Sequence, residues 1–69
     1  MKIKYDKASN TMVVVFREDR VKESDEIRPN VIADFGYDGN IIRLEILDAR
    51  RVIENPSELS FSVEEAKTA

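Results

Sequence analysis

The chain has 69 residues, of which 42% are hydrophobic and 36% are charged, and its formal net charge is −3. This length supports one small domain, residues 1–69, with a modest core. Because cysteine and histidine are both absent, disulfides, thiolate metal sites and histidine-based catalysis are excluded. No long apolar run, signal-peptide pattern or basic stripe is present, so we expect a cytoplasmic protein that binds neither membranes nor nucleic acid.

The first predicted element is a β-hairpin. Residues 2–5 alternate between charged and apolar side chains, and residues 11–16 form an apolar, β-branched run. Both patterns are typical of strands. The residues between them, 6–10, have turn chemistry, with Asp6 placed to cap a type I turn.

Residues 17–28 are mostly charged. One interpretation is a solvated loop that leads into an edge strand, where charges oppose aggregation. The other is an acidic recognition strip. Both charge signs are interspersed along the segment, which favours the first interpretation. Pro29 then predicts the entry to the next strand.

A second hairpin is predicted over residues 31–47. Asp38-Gly39 lies between two alternating apolar runs, which is a strong signal for a two-residue type I′ turn. A longer loop with a bulge at Gly39 is the competing register. The two-residue loop predicts the pairs Tyr37–Asn40, Phe35–Ile42, Ala33–Leu44 and Val31–Ile46 on one face, and Asp34–Arg43 and Ile32–Glu45 on the other.

The last part of the chain predicts a short helical turn and a final strand. Asp48 can cap a turn over residues 49–54, which Asn55-Pro56 would end. Residues 59–63 alternate again and predict a strand, and we expect residues 64–69 to form a frayed tail. The fold class is therefore mainly β: a small antiparallel meander of five or six strands with a short helical turn near residues 49–54.

The turns and core strands together resemble a family of short prokaryotic proteins catalogued as domain of unknown function 2283. The matching segments are Tyr5-Asp6, Pro29 with residues 31–35, Asp38-Gly39 and residues 44–49. Departures are Lys7, where proline is common, and Asn30 and Arg43, where glycine is common. The resemblance implies the fold, and it implies no activity and no functional residues.

Three acidic residues suggest a metal site. Asp34, Asp38 and Glu45, with Gly39, fit several positions of an EF-hand calcium loop. Gly36 offers no side-chain oxygen at the third position, and strands rather than helices flank the segment. We therefore favour an ordinary hairpin, and the alternative function is a small metal-binding protein or a hydrolase that uses these carboxylates.

The apolar run at residues 12–16 predicts a strand that is covered on both faces. The second face would carry Val13 and Val15, and the second hairpin would add Ile32 and Ile41. Cover could come from Val52 and Ile53, from residues 59–63, or from another chain. We expect a non-enzymatic interaction module without a cofactor that forms a homodimer through these residues, or that binds an unidentified protein as an accessory or antitoxin-like partner.

Overall fold

The described residues form a single antiparallel β-sheet of five strands, in which the order across the sheet differs from the order along the chain. This computed structural model describes residues 1–60 and 62–66. The predicted fold class, mainly β with five antiparallel strands, is confirmed. The elements are β1 Lys2–Asp6, β2 Thr11–Val15, β3 Val21–Arg28, β4 Val31–Gly36 and β5 Ile41–Ile46, followed by two 3-10 turns at Ala49–Arg51 and Pro56–Glu58.

The strand order joins two local units. One is the β1–β2 hairpin, and the other is the meander β3-β4-β5. They are joined where β2 pairs with β5, with Met12 opposite Ile46 and Val14 opposite Leu44. Across the sheet the order is β1-β2-β5-β4-β3, and the central strand is therefore β5, the last strand in sequence among the described residues.

The turn of the first hairpin forms as predicted. The Asp6 carboxylate accepts a hydrogen bond from the Ala8 backbone N–H at 3.0 Å, which is the side-chain cap expected of aspartate at this position. Asn10 ends the turn with a φ of 55°, a left-handed conformation that asparagine tolerates better than most residues.

Asn10 ties this turn to the segment after β5. Its Oδ1 accepts hydrogen bonds from the Tyr5 hydroxyl at 2.8 Å and from the Arg50 N–H at 3.2 Å. Its Nδ2 donates to Asp48 Oδ1 at 3.0 Å, and its carbonyl oxygen accepts from the Ala49 N–H at 2.9 Å. The side chain and the backbone carbonyl of this one residue thus connect the first hairpin to the C-terminal segment through hydrogen bonds.

We expect Asn10→Gly to lower the free energy of unfolding by about 1 kcal/mol, because the side-chain hydrogen bonds are lost while the positive φ is accommodated. Asn10→Ala should cost about 1 kcal/mol more, since alanine also pays for the left-handed backbone. Urea denaturation of both variants measures the difference. Equal losses would show that the backbone conformation carries no penalty.

The turn of the second hairpin is one residue longer than predicted. The Gly36 N–H donates to the Asn40 carbonyl at 2.9 Å, and the Gly39 N–H donates to the Gly36 carbonyl at 3.1 Å. Gly39 has a φ of 84°, so the loop is a three-residue turn that ends in a left-handed glycine. The predicted Tyr37–Asn40 pair is wrong. The Asp38 carboxylate favours the longer turn by accepting the Asn40 N–H at 3.0 Å.

A bulge in β5 compensates for the longer turn. Phe35 pairs with Ile41, whereas the next pair is Asp34 with Arg43, so Ile42 is an extra residue. The predicted Phe35–Ile42 pair is therefore wrong. Beyond the bulge the predicted register is restored, because the added residue offsets the added loop residue. The confirmed pairs are Asp34–Arg43, Ala33–Leu44, Ile32–Glu45 and Val31–Ile46.

The charged segment after β2 forms more strand than predicted. Residues 18–20 have no regular structure, and β3 occupies residues 21–28 as a fully exposed edge strand. Its pairing with β4 shifts register between Val21 and Glu23 and again between Glu26 and Arg28. Residues 29 and 30 then form the turn into β4, with Asn30 at a φ of 67°.

The segment after β5 differs from the prediction in two ways. The helical turn covers Ala49–Arg51 rather than residues 49–54, and Asp48 makes no side-chain cap. Its backbone is left-handed, with a φ of 52°, and its carboxylate bonds to Asn10 instead. Arg51 Nε lies 3.7 Å from the same carboxylate.

The predicted final strand is wrong for the residues that the structure describes. Residues 59, 60, 62 and 63 form no strand, since the sheet ends at β1 and β3 and this segment pairs with neither. Phe61 lies outside the described residues. In the predicted tail, residues 64–66 are exposed and without regular structure, and residues 67–69 lie outside the description. No helical segment in the described part of the chain is long and apolar enough to cross a bilayer.

Candidate interaction surfaces

One face of the sheet mixes charged and apolar side chains, and we call it the mixed face. Successive residues of a strand point to opposite faces, so the register defines which side chains share a face. On this face Val13 lies between Lys4 and Glu45, and Val15 lies between Lys2 and Arg43. The two cross-strand rows are Lys4-Val13-Glu45-Ile32-Glu26 and Lys2-Val15-Arg43-Asp34-Ser24.

Asp34 is the buried acidic residue of the mixed face, with 8% of its surface exposed. Its carboxylate accepts hydrogen bonds from the Ser24 hydroxyl and from Arg43 Nε, each at 2.5 Å. Burial raises the pKa of Asp34, but the hydrogen bonds from Ser24 and Arg43 and the charge of Arg43 outweigh it, so the pKa lies below its ordinary value. The carboxylate is therefore held ionised by its two neighbours on the sheet.

The opposite face is apolar across β1, β2, β5 and β4, and we call it the apolar face. Its first row holds Tyr5, Met12, Ile46 and Val31, and its second holds Ile3, Val14, Leu44 and Ala33. On β3 the two rows end in the charged residues Arg28 and Asp25. The segment after β5 packs beside the first row. There Arg51 and Val52 line a cavity of about 220 Å³ together with Val31 and Ile46.

Cover on the apolar face decreases from one end to the other. Met12 in the first row is 2% exposed. Phe16 continues the alternation of β2 beside β5 by donating its N–H to the Ile42 carbonyl at 2.8 Å, and it is 43% exposed. Ile3 and Ile41 are each 38% exposed. These three residues, Ile3, Phe16 and Ile41, form what we call the exposed end of the apolar face.

The structure separates the predicted contact residues. Val13, Val15 and Ile32 lie together on the mixed face, half-buried among its charged side chains. The prediction that Ile41 lies with them is wrong, because the bulge pairs Ile41 with Phe35. Val52 and Ile53 follow the first 3-10 turn, with Val52 exposed and Ile53 half-buried. Ile3 and Phe16 were not among the predicted contact residues, although alternation places Phe16 with Val14 on β2 and Ile3 with Tyr5 on β1.

The three predicted metal ligands have other partners. Arg17 donates to the Asp38 carboxylate at 2.7 Å. The backbone N–H of Asn40, and next the Arg17 hydrogen bond, lower the pKa of Asp38. Asp34 lies in the sheet with Arg43, and Glu45 lies between Val13 and Ile32. Among the described residues, no three acidic side chains are arranged to hold a metal ion.

The molecule exposes more surface than a compact chain of its length. Its radius of gyration is 13.6 Å, whereas a compact domain of this length has about 11 Å. Its accessible area is 5718 Å², against about 4,400 Å² for a compact monomer of this size. The exposed residues after the second 3-10 turn account for part of this excess. The core of the described residues is correspondingly small, with Met12, Ala33, Ile42 and Ala49 as its buried hydrophobic members.

The fold and its surfaces define a small antiparallel β-sheet protein with one incompletely covered apolar face. The chain belongs to the family described as protein of unknown function (DUF2283), whose model matches residues 2–50. This span includes all five strands, which confirms the family resemblance seen in the turns and core strands. No curated protein and no solved structure matches the chain.

Proposed function

We propose that this chain is a protein–protein interaction module that forms a homodimer through the exposed end of its apolar face. The observation that carries the proposal is the gradient of cover on that face, from Met12 at 2% exposed to Phe16 at 43%. A sheet face that is apolar across four of its five strands gains free energy when water is removed from that part. A second copy supplies an identical apolar surface for that purpose.

The excess of accessible surface over that of a compact monomer is large enough to include one protein–protein interface. The accessible surface exceeds that of a compact monomer by about 1,300 Å². A standard interface removes about 800 Å² from each partner. Because the exposed residues after the second 3-10 turn contribute part of this excess, it sets an upper limit on the area that an interface would bury.

The apolar face is a better candidate than the mixed face because of its charges. On the mixed face each valine lies between charged neighbours: Lys4 and Glu45 flank Val13, and Lys2 and Arg43 flank Val15. Covering that face with a second copy would remove these charges from water, which is costly unless each one finds a partner. The exposed end of the apolar face lies on β1, β2 and β5, whereas the charged side chains of that face, Glu23, Asp25 and Arg28, lie on β3, so covering this end removes fewer charges from water.

We expect Phe16→Lys to abolish self-association, since it places a charge at the exposed end of the apolar face. Val13→Lys introduces the same charge on the mixed face and should leave the dimer intact. Light scattering behind a sizing column, over a hundredfold range of protein concentration, measures the molar mass of both variants and of the unmodified chain. Circular dichroism verifies that each variant is folded.

The two variants also distinguish the competing surfaces. A dimer that survives Phe16→Lys and dissociates with Val13→Lys would overturn the proposed surface and support the contacts Val13, Val15 and Ile32. A monomer at all concentrations for the unmodified chain would overturn self-association itself.

A further inference from the structure

We propose that two copies associate by pairing their β1 strands antiparallel, with Lys2 of each copy opposite Asp6 of the other. The inference rests on the proposed self-association and specifies its geometry. The two sheets would join at β1 into one continuous sheet, with both apolar faces on the same side. The argument depends on the two edges of the sheet and on the residue pattern of β1.

The two edge strands, β1 and β3, differ in how readily each could pair with a strand of another copy. β3 is interrupted by two register shifts and carries five charged residues along an exposed strand of eight. Bulges and charges of this kind oppose the addition of another strand. β1 pairs with β2 without interruption over all five residues, Lys2–Asp6, and it is the first strand in the sheet order. Its outer edge is therefore the regular one.

The residue pattern of β1 selects one register. Sheet continuity requires the apolar face of one copy to continue into that of the other, so only shifts by an even number of residues are allowed. Full overlap places Lys2 opposite Asp6 in two symmetry-related pairs. It also places Ile3 opposite Tyr5 twice on the apolar face. Lys4 then meets its own copy at the two-fold axis, on the mixed face, where both ammonium groups remain in water.

The neighbouring registers are poorer. A shift of two residues in one direction places Lys2 opposite Lys4 twice, which opposes like charges. The same shift in the other direction places Lys4 opposite Asp6 twice, but it leaves only residues 4–6 paired and gives up the Ile3–Tyr5 contacts. Like charges therefore exclude the first shift, and the smaller overlap disfavours the second.

Antiparallel pairing also brings complementary ends of the two apolar faces together. Ile3 marks the exposed end, and Tyr5 lies at the covered end, where it bonds to Asn10. Each exposed end thus lies beside the partner's covered end, close to the partner's first 3-10 turn. Ile3 of each copy thereby loses contact with water against Tyr5 of the partner.

A cysteine at the two-fold axis tests this register, since the chain has no cysteine of its own. Opposite residues of an antiparallel pair have Cα atoms about 4.5–5.5 Å apart, within the range of about 4.4–6.8 Å in which disulfides form. Lys4→Cys should therefore give a disulfide-linked dimer under mild oxidation. Lys2→Cys is the matched control, because its two copies would lie about 14 Å apart.

Each result decides one point. Efficient cross-linking of Lys4→Cys with little for Lys2→Cys supports the register. Equal cross-linking of both, or none in a chain that light scattering shows to be dimeric, overturns the register and leaves self-association standing. A monomeric unmodified chain overturns the proposed function together with this inference.

A second measurement uses charge. Lys2→Glu would oppose two acidic residues in each of the two outer pairs, and we expect it to weaken self-association by about tenfold. Lys7→Glu makes the same change in net charge in the turn outside β1 and should have little effect. Analytical ultracentrifugation gives both dissociation constants. Equal weakening by the two variants would contradict the pairing of Lys2 with Asp6.

Discussion

Met12→Ala is expected to lower the free energy of unfolding by about 2–5 kcal/mol, the usual cost of truncating a buried methionine. Met12 is 2% exposed and lies on β2 at the junction with β5, opposite Ile46. A small domain has a total stability of only about 4–10 kcal/mol. The variant should therefore lose a large share of its stability, with the hairpin junction as the weakened point.

Urea denaturation followed by circular dichroism measures this loss, with Val52→Ala as the control. Val52 is exposed after the first 3-10 turn, so its truncation should change the free energy of unfolding by no more than about 0.5 kcal/mol. A loss below about 1 kcal/mol for Met12→Ala would show that this row of the apolar face does not form the core.

Arg43→Leu should lower the free energy of unfolding by about 1–3 kcal/mol, because it leaves the buried Asp34 carboxylate with one hydrogen-bond donor. Burial would then dominate and raise the pKa of Asp34. Replacing the carboxylate as well, in Arg43→Leu with Asp34→Asn, should recover part of the loss. Arg17→Leu breaks the exposed ion pair with Asp38 and should cost less. Recovery by the second substitution distinguishes an unpaired charge from lost packing.

This prediction has a pH dependence with a definite sign. In the unmodified chain the pKa of Asp34 lies below its ordinary value of 3.8, so its stabilising contribution is present above that pH and disappears as pH falls through the folded-state pKa. In Arg43→Leu the ionised Asp34 carboxylate lowers the free energy of unfolding. Protonation of Asp34 removes this loss, and it occurs at a higher pH because the pKa is raised. The stability difference between the two proteins should therefore narrow from pH 7 toward pH 4. A constant difference across that range would contradict the assignment.

The second hairpin shows what could be predicted from sequence and what could not. The alternation of apolar residues fixed the pairs from Val31–Ile46 to Asp34–Arg43, since a one-residue slip would expose the apolar side chains. The turn length was wrong, because Asp38-Gly39 serves either a two-residue turn or a three-residue turn with glycine at its end. Local sequence preferences do not show that a bulge at Ile42 compensates for the additional residue in the turn.

Other features depend on contacts between distant residues. Hairpin patterns specify neighbours along the chain, so the pairing of β2 with β5 had no local signal. The bond between Asn10 and Asp48 spans 38 positions and likewise could not be read from either turn. For the candidate surface, alternation places Phe16 with Val14 on β2 and Ile3 with Tyr5 on β1. Which end of the apolar face is covered could not be predicted, because it depends on where the segment after β5 packs.

The central position of β5 also governs how the chain can fold. During synthesis the β1–β2 and β3–β4 hairpins emerge first, and isolated hairpins are at best marginally stable in water. Neither has its remaining neighbour until residues 41–46 have left the ribosome, after which one strand joins both units at once. Folding should thus occur as a single late step that waits for β5, so that a fragment that ends before residue 41 remains open to proteolysis and the full chain becomes resistant.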